Sequence, residues 1–555
     1  MRNLPVLAWS ARPTARREIR FLVLCALTLG LSACAGGSSS GPPSTKFTIG
    51  GTVSALANTK VVLRDNGGDD LSVSANGSFT FTTPVRSGED YSVTVRTQPS
   101  DPEQTCEVTN GTGTATANVM SVTVDCGHDE WAWMSGADVV DKAGIYGTLG
   151  TPSAANVPGA RRGAVTWTDS AGNAWLFGGH GYDSAGTVGQ LKEVWKYSAG
   201  EWTWMGGSDL ANQVGTYGIL GTPSAADVPG ARGQAVGCTD ASGNFWLFGG
   251  HGYDSAGTDG NLNDLWKYSA GEWTWMGGSD LANQVGNYGT LGTPTPENIP
   301  GPRQQAVAWT DASGSFWLFG GDNYDSEGTI YDLNDLWKYS KGEWTWMGGS
   351  DLANQSGTYG TLGTLSATNF PGARFAAVTW LDSSKNVWLF GGGGYDSAGT
   401  DGLLNDLWKY SEGKWTWMGG SDLSNQVGSY GTPGTLTPGN IPGARGQSVA
   451  WTDASGNVWL FGGEGYHSTG TIGYLNDLWK YSGGEWTWMG GSDLANQSGT
   501  YGTLGTPAPG NVPGAQYYRP DAWTDSSGNL WLFGGDGYDS AGKLGLLNDL
   551  WRYEP

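Results

Sequence analysis

The pentapeptide Glu-Trp-Thr-Trp-Met decides the fold of this chain, because it returns at a fixed interval. It stands at residues 201–205, 272–276, 343–347 and 485–489, with the variants Glu-Trp-Ala-Trp-Met at 130–134 and Lys-Trp-Thr-Trp-Met at 414–418. The first Trp of each copy falls at positions 131, 202, 273, 344, 415 and 486, so the interval is the same between all neighbouring copies. Such a constant period indicates one supersecondary unit copied in tandem.

Each copy is expected to contain four short strands separated by turns. In the first complete copy the strand-like runs are residues 164–168, 175–177, 194–197 and 201–205, with short turns at 169–173 and 198–200. A longer loop is expected over residues 178–193, and a second long connection over residues 206–230 leads to the next copy. Runs of this length between Gly-, Asn- and Ser-rich turns predict an antiparallel meander.

The two ends of the repeated region indicate how many units there are. The last copy stops after its third strand, at Pro555, whereas an extra fourth strand at residues 130–134 precedes the first copy. Pairing these two ends completes a sixth unit and leaves no exposed sheet edge. The sequence therefore predicts a closed ring of six units.

The repeated unit resembles the kelch repeat. The residues that carry the resemblance are the doublet Gly178-Gly179 after the second strand and the aromatic positions Trp195, Tyr197 and Trp202, with equivalents in the later copies. The resemblance implies an all-β chain in which residues 129–555 form a six-bladed kelch-type β-propeller. The many Trp side chains are expected to pack between blades, and a Trp-based ligand platform is the alternative.

Residues 1–33 are expected to be a targeting segment rather than part of the fold. Arg12, Arg16, Arg17 and Arg20 precede an apolar run that is too short to span a bilayer and ends at Leu31-Ser32-Ala33-Cys34. This ending resembles a bacterial lipobox, which implies lipidation of Cys34, a flexible tether over residues 34–45 and an outer-membrane location in a Gram-negative bacterium. An ordinary signal peptide with an incidental Cys is the alternative.

Residues 46–127 are expected to form a small β-sandwich that acts as a spacer. Short alternating runs are divided by Asn-Gly and Gly-Gly turns, as in antiparallel sheets. Cys106 and Cys126 lie within this segment of an exported protein, so a disulfide between them is predicted. Cys238 stands where other copies carry Trp and is interpreted as a core residue.

The charge of the chain excludes one class of partner. The formal net charge is −23, and removal of residues 1–33, which hold five Arg and one Glu, leaves 24 basic and 51 acidic side chains, or −27 (24 − 51). A surface with this much negative charge repels the phosphate groups of nucleic acids, which argues against nucleic-acid binding. A monomeric propeller with a protein or carbohydrate partner is expected.

The meander predicts which face of the ring binds a ligand. Successive antiparallel strands alternate in direction, so both long loops of every copy emerge on the same side, where binding sites on rigid scaffolds usually lie. An arginine begins the first strand in five copies, and its planar fork suits a carboxylate or sugar ligand. The alternative is that each arginine pairs with an acidic side chain of its own copy. These candidates are Arg161, Arg232, Arg303, Arg374 and Arg445, with Gln516 at the sixth position and Arg519 nearby.

A second set of candidates follows the Gly-Gly doublet directly. This position differs between copies that are otherwise nearly identical, which points to a lining of the channel mouth, with drift free of function as the alternative. We call this set the variable ring: His180, His251, Asp322, Gly393, Glu464 and Asp536.

Calcium binding and catalysis are the alternatives to simple ligand binding. Loop aspartates such as Asp254, Asp325 and Asp396 have oxygens that suit calcium, but turn hydrogen bonds explain them equally well, and no metal or cofactor is otherwise expected. Galactose oxidase carries copper on a kelch-type propeller, but its His, Tyr and Cys ligand set is not matched here. The expected function is non-catalytic binding at the channel mouth. The alternative is a carbohydrate-active enzyme that uses carboxylates there.

Overall fold

The structure is a computed structural model that describes residues 45–54, 56, 60–100, 104–324 and 330–555. The predicted signal peptide, Cys34 and the tether up to Ser44 lie outside the described residues, as do residues 325–329 with Asp325. Every regular secondary-structure element of the described part is a β-strand. Within that part, no helix is long and apolar enough to cross a lipid bilayer.

The N-terminal unit contains two four-stranded sheets that share one hydrophobic core. The disulfide between Cys106 and Cys126 is present, as predicted, and both cysteines belong to this core. One pairing differs from the expected antiparallel pattern, because Val119–His128 runs parallel to Ile49–Ser54. Alternation of apolar residues does not encode strand direction, so the sequence could not reveal this pairing. The ten strands are Lys46–Phe47, Ile49–Ser54, Val61–Asp65, Asp69–Val73, Gly77–Thr80, Val85–Arg86, Asp90–Thr97, Thr105–Thr109, Thr112–Thr114 and Val119–His128.

The rest of the chain is a series of four-stranded antiparallel meanders, as the period predicts. The first strands are Val165–Thr168, Val236–Thr239, Val307–Thr310, Val378–Leu381, Val449–Thr452 and Asp521–Thr524. The second strands are Ala174–Phe177, Phe245–Phe248, Phe316–Phe319, Val387–Tyr395, Val458–Tyr466 and Leu530–Tyr538. The third strands are Val194–Ser198, Leu265–Ser269, Leu336–Ser340, Asp401–Ser411, Ile472–Ser482 and Leu544–Glu554. The fourth strands are Glu201–Gly206, Glu272–Gly277, Glu343–Gly348, Lys414–Gly419 and Glu485–Gly490, with Glu130–Ser135 beside the last third strand.

The expectation of a plain loop over residues 178–193 is wrong. This stretch holds a hairpin that extends the second and third strands, and a short leading strand pairs with it. In the last three repeats the extension is continuous with the main strands. The separate hairpins are His180–Tyr182 with Val188–Gln190, His251–Tyr253 with Asp259–Asn261, and Asp322–Tyr324 with Ile330–Asp332. The leading strands are Arg161–Arg162, Arg232–Gly233, Arg374–Phe375, Arg445–Gly446 and Gln516–Tyr518.

The Gly-Gly doublet joins each main second strand to its extension. Gly178 and Gly179 have φ of 68° and 99°, a region that L side chains rarely adopt. A Cβ on Gly178 would lie 2.6 Å from the carbonyl oxygen of Arg232 in the next repeat. The Gly179 N–H donates to that same carbonyl at 2.8 Å. The doublet therefore allows close contact between neighbouring repeats.

Contacts between repeats run around all six units. Each first strand lies beside the first strand of the next repeat, and Val165–Thr168 also lies beside Asp521–Thr524 of the last. Glu130–Ser135 pairs antiparallel with Leu544–Glu554, with Trp131 opposite Tyr553. The hydrophobic clusters are built from two neighbouring repeats each, and buried Trp side chains are their largest members.

The long connection between repeats contacts the hairpin extension, as the Asn212 N–H does by donating to the Gln190 carbonyl at 2.7 Å. It folds back and lies along the outer edge of the following fourth strand, as the bridge between Ser153 and Trp202 shows. The Gly150 N–H donates to the Trp204 carbonyl at 2.8 Å. These contacts cover strand edges that would otherwise be open to pairing with another chain.

Candidate functional site

The five candidate arginines lie inside the fold. Arg232 is 1% exposed, and its guanidinium donates to Asp264 Oδ1 at 2.6 Å and Oδ2 at 2.8 Å. Its remaining N–H groups donate to the carbonyls of Gly230 and Gly249. The pairs elsewhere are equally buried: Arg161 with Glu193, Arg303 with Asp335, Arg374 with Asp406 and Arg445 with Asp477.

Burial of these pairs corrects the role that the sequence suggested for the arginines. Arg161, Arg232, Arg303, Arg374 and Arg445 have their donors occupied by groups of their own repeat, which leaves no donor for a ligand at the surface. A tyrosine of the long connection joins each pair, as Tyr217 does by donating to Asp264 at 2.5 Å. The arginines therefore hold the repeats in shape, and the alternative of pairing within the repeat describes the observed geometry.

The loop aspartates organise turns. Asp254 Oδ1 accepts the backbone N–H groups of Ala256 and Thr258, and its Oδ2 accepts that of Ala282. Asp396 makes the same three kinds of bond. Among the described residues, no group of three or more His, Cys, Asp or Glu side chains is arranged to hold a metal ion. The turn explanation is sufficient for these residues.

The members of the variable ring stand at equivalent positions in the six repeats. Its six positions occupy the same place on the second-strand extensions. Neighbours interact around it: Gln190 Nε2 lies 3.4 Å from His251 Nδ1, and Arg162 Nη1 lies 2.8 Å from Asp536 Oδ2. Two further positions that vary between repeats flank it. The first of these positions follows the leading arginine or its equivalent: Arg162, Gly233, Gln304, Phe375, Gly446 and Tyr518. The second precedes a Leu that recurs after the hairpin: Gln190, Asn261, Asp332, Leu403, Tyr474 and Leu546.

One side of the ring holds a pair of buried acids. Asp322 and Asp332 are opposite each other on adjacent strands and are 3% and 4% exposed. Burial raises the pKa of Asp322 to about 7, and burial together with the charges of Asp322 and Asp401 raises the pKa of Asp332 to about 8. Gln304 Nε2 donates to Asp322 Oδ2, whereas Asp322 Oδ1 is buried without a partner. Two carboxyl groups that are part protonated near neutral pH are typical of functional sites.

A cavity of about 770 Å³ lies between the second and third repeats, and it is lined by the sequence neighbours of these acids rather than by the acids themselves. His251, Asn261, Asn323 and Asp351 are among the residues that line it. Asn261 Nδ2 donates to Asn323 Oδ1 across the repeat boundary at 2.7 Å. The volume matches that of small-molecule sites, and the lining offers amide and carboxylate groups.

The opposite side of the ring is aromatic. Tyr474, Tyr517, Tyr518 and Tyr538 form what we call the tyrosine cluster. Ring centroids of Tyr474 and Tyr517 are 4.7 Å apart, and the Arg162 guanidinium lies 4.1 Å above the Tyr518 ring. All four tyrosines are partly exposed. This cluster was not predicted from the sequence, although the loss of the repeat pattern at residues 516–520 indicates that this part of the sixth repeat differs from the others.

Comparisons with known proteins give no family. No protein-family model matches the sequence, and no curated protein matches it. Three solved structures are similar at low scores. YjhT has 14% identity over 71% of this chain and 95% of that chain, with a TM-score of 0.39. A fungal alcohol oxidase of the AA5 family, in complex with copper, has 14% identity over 74% and 77%, with a TM-score of 0.38. A protein of unknown function from Dyadobacter fermentans DSM 18053 has 10% identity over 76% and 98%, with a TM-score of 0.37. Scores in this range transfer no function to the chain.

Proposed function

We propose that residues 129–555 form a closed six-bladed kelch-type propeller that binds a carbohydrate at the variable ring and the tyrosine cluster. Closure is supported by the cyclic contacts of the first strands and by the pairing of Glu130–Ser135 with the last third strand. The protein is exported and anchored through Cys34, and residues 46–127 hold the propeller away from the membrane. This part of the proposal rests on the lipobox-like sequence.

The observation that carries the binding proposal is where the repeats differ. Trp-Leu-Phe-Gly-Gly stands unchanged in all six second strands, whereas the three positions at the ring change from repeat to repeat. An aromatic side of the ring, opposite a side of amides and carboxylates, provides the stacking surface, and the polar side provides the hydrogen bonds that a sugar needs. Structural duty alone would favour the same residue in every repeat.

Replacing Tyr474 with alanine is expected to weaken glycan binding about 30-fold, as truncation of an aromatic hot spot worth about 2 kcal/mol does. The assay is a glycan panel read by thermal shift and then by calorimetry on the best ligand. Tyr253→Ala, a partly exposed tyrosine on the same face outside the cluster, is the control and should bind normally. A panel without any stabilising glycan, or equal losses in both variants, would contradict the proposal. Stabilisation by peptides alone would assign a protein partner instead.

A second candidate function is supported by the acid pair. Asp322 and Asp332 have pKa values that burial raises to about 7 and 8, so one group is available to donate a proton at neutral pH. A carbohydrate-active enzyme requires such an acid next to a second carboxyl group. Release of reducing ends from a bound glycan, abolished in Asp322→Asn, would favour this function over simple binding. Binding without turnover would reject it.

The acid pair also predicts a pH dependence of stability. Because the pKa of Asp322 is raised in the folded state, the native protein keeps a proton that the unfolded chain releases above about pH 4. Stability should therefore fall as the pH rises from about 4 to 7, and Asp322→Asn should show a flatter profile. Urea unfolding at pH 5 and 8 measures both. Asp351→Asn, an exposed aspartate at the cavity, should keep the wild-type slope. Parallel profiles for Asp322→Asn and wild type would contradict the prediction.

A further inference from the structure

The centre of the ring is built by one residue from each repeat. Five of these residues have positive φ, between 52° and 61°, and their backbone groups form a belt. The Gln234 N–H donates to the Gly163 carbonyl at 2.7 Å, and the later members continue the pattern at 2.9–3.0 Å. Non-glycine residues held in this conformation are strained, and such strain is concentrated at functional sites. The five residues are Gly163, Gln234, Gln305, Ala376 and Gln447.

The sixth repeat departs from this belt through one extra residue. Arg445 and Val449 are four residues apart, whereas the equivalent Gln516 and Asp521 are five apart. The extra residue makes a bulge between Gln516 and Tyr518, seen as a shift in pairing with the second strand. A β-bulge changes the direction in which the following side chains point. Here the bulge places Arg519 at the belt position, where it lines a cavity of about 30 Å³ with Tyr518 and the belt glutamines.

Arg519 differs from the five buried arginines in having a guanidinium that is not engaged. The residue is exposed to solvent and lines the central cavity together with the belt residues, so its guanidinium can be reached by a ligand there. Among the described residues, the structure shows no hydrogen bond or ion pair of its side chain. A cation held in such a place, in a chain of net charge −23, attracts an anion.

Asp521 is an opposite charge that acts on this cation, and it neutralises the cation only in part. It stands where the other five repeats have Val, is 3% exposed, and has a buried Oδ2 without a partner. Burial raises its pKa to about 7, against the lowering effect of Arg519 and Arg161. Arg161 itself is occupied by Glu193 at 2.6 Å. The positive charge of Arg519 is therefore available to a ligand.

We infer that the central opening binds the carboxylate group of the ligand, with Arg519 as its partner and the side-chain amide of Gln234 as a further donor. The amide of Gln447 is already engaged, because its Nε2 donates to Gln305 Oε1. A guanidinium presents two parallel N–H groups, which match a carboxylate. The cavity accommodates such an end group but not a whole sugar ring. Tyr518 belongs both to this cavity and to the tyrosine cluster, so a sugar body would rest on the tyrosines above. The inference rests on the proposed function and specifies its ligand as an acidic carbohydrate.

The test uses D-glucuronate, D-glucose, acetate and chloride as probes on the full exported protein. Glucuronate and acetate are expected to raise the melting temperature at an ionic strength where chloride does not. Arg519→Gln should weaken both about 10- to 150-fold, the loss expected for hydrogen bonds to a charged group. Because glutamine already occupies three belt positions, this variant is expected to fold. Arg552→Gln, which lies outside the cavity lining, is the matched control and should bind normally.

The outcomes separate this inference from the proposed function. Equal binding of glucose and glucuronate, unaffected by Arg519→Gln, would overturn the anion site and leave sugar binding at the ring intact. An effect of chloride equal to that of acetate would overturn recognition of a carboxylate. No effect of acetate or glucuronate on the wild-type protein would overturn the inference whether or not neutral glycans bind.

Discussion

Replacing Arg232 with methionine is expected to lower the free energy of unfolding by about 3–5 kcal/mol, the cost of leaving one partner of a buried ion pair without the other. Asp264 is fully buried, and after the change its Oδ1 would have lost its donor. The carbonyls of Gly230 and Gly249 would lose their donors as well. Because one substitution leaves three buried acceptors without this donor, the loss of stability should exceed that of a single hydrogen bond.

Urea unfolding of matched variants measures this effect. Arg162→Met is the control, because its ion pair with Asp536 is partly exposed and is expected to contribute less than about 1 kcal/mol. The double variant Arg232→Met/Asp264→Leu should recover much of the loss, since it removes the stranded carboxylate. If Arg232→Met keeps the wild-type free energy of unfolding but loses ligand binding, the arginine belongs to a binding site instead.

The sixth repeat shows that this ion pair can be absent. Gln516 stands in place of the arginine, and Asp549 Oδ1 is buried without a partner. Burial accordingly raises the pKa of Asp549 to about 6. The repeat that carries the extra residue, Arg519 and three of the clustered tyrosines is thus the one that lacks the stabilising pair. The features proposed for binding therefore coincide with the loss of a stabilising ion pair, as a trade-off between function and stability would require.

Much of the fold was predictable because its signals are local and repeated. The period of the Trp residues located every main strand, and the orphan strand at residues 130–134 indicated which ends pair. The hairpin at His180–Tyr182 and Val188–Gln190 was not predicted, since its Gly-, Ser- and Thr-rich sequence has the composition of a loop. Its strands form only because the Gly-Gly doublet allows close packing on the next repeat.

The candidate site was predictable in part. Variation after the Gly-Gly doublet identified the variable ring, because a difference among near copies is visible in one sequence. The burial of Arg232 and its equivalents was not visible, since their partners lie 32 residues away along the chain. Two sequence signals that went unused are the extra residue near Tyr517 and the Tyr at position 474, where other repeats carry different side chains.

Trp131→Ala is expected to destabilise the repeated region as strongly as Trp273→Ala, by about 3–5 kcal/mol in each case. Trp273 belongs to a fourth strand inside the repeated region and is 3% exposed, and Trp131 is 4% exposed in the N-terminal strand. Trp131 packs against Phe461 and Trp551, which come from the last two repeats, at the other end of the repeated region. If the N-terminal strand completes the ring, Trp131 contributes as much to the free energy of unfolding as any other fourth-strand Trp.

Denaturant unfolding of the two Trp variants compares them directly. A loss below about 1 kcal/mol for Trp131→Ala beside a full loss for Trp273→Ala would mean that the ring does not close through the N-terminal strand. In that case the first and last repeats would be held together by contacts that do not involve the N-terminal strand, such as those between Val165–Thr168 and Asp521–Thr524. Equal losses in the two variants would instead assign the closing role to Glu130–Ser135, which pairs with Leu544–Glu554.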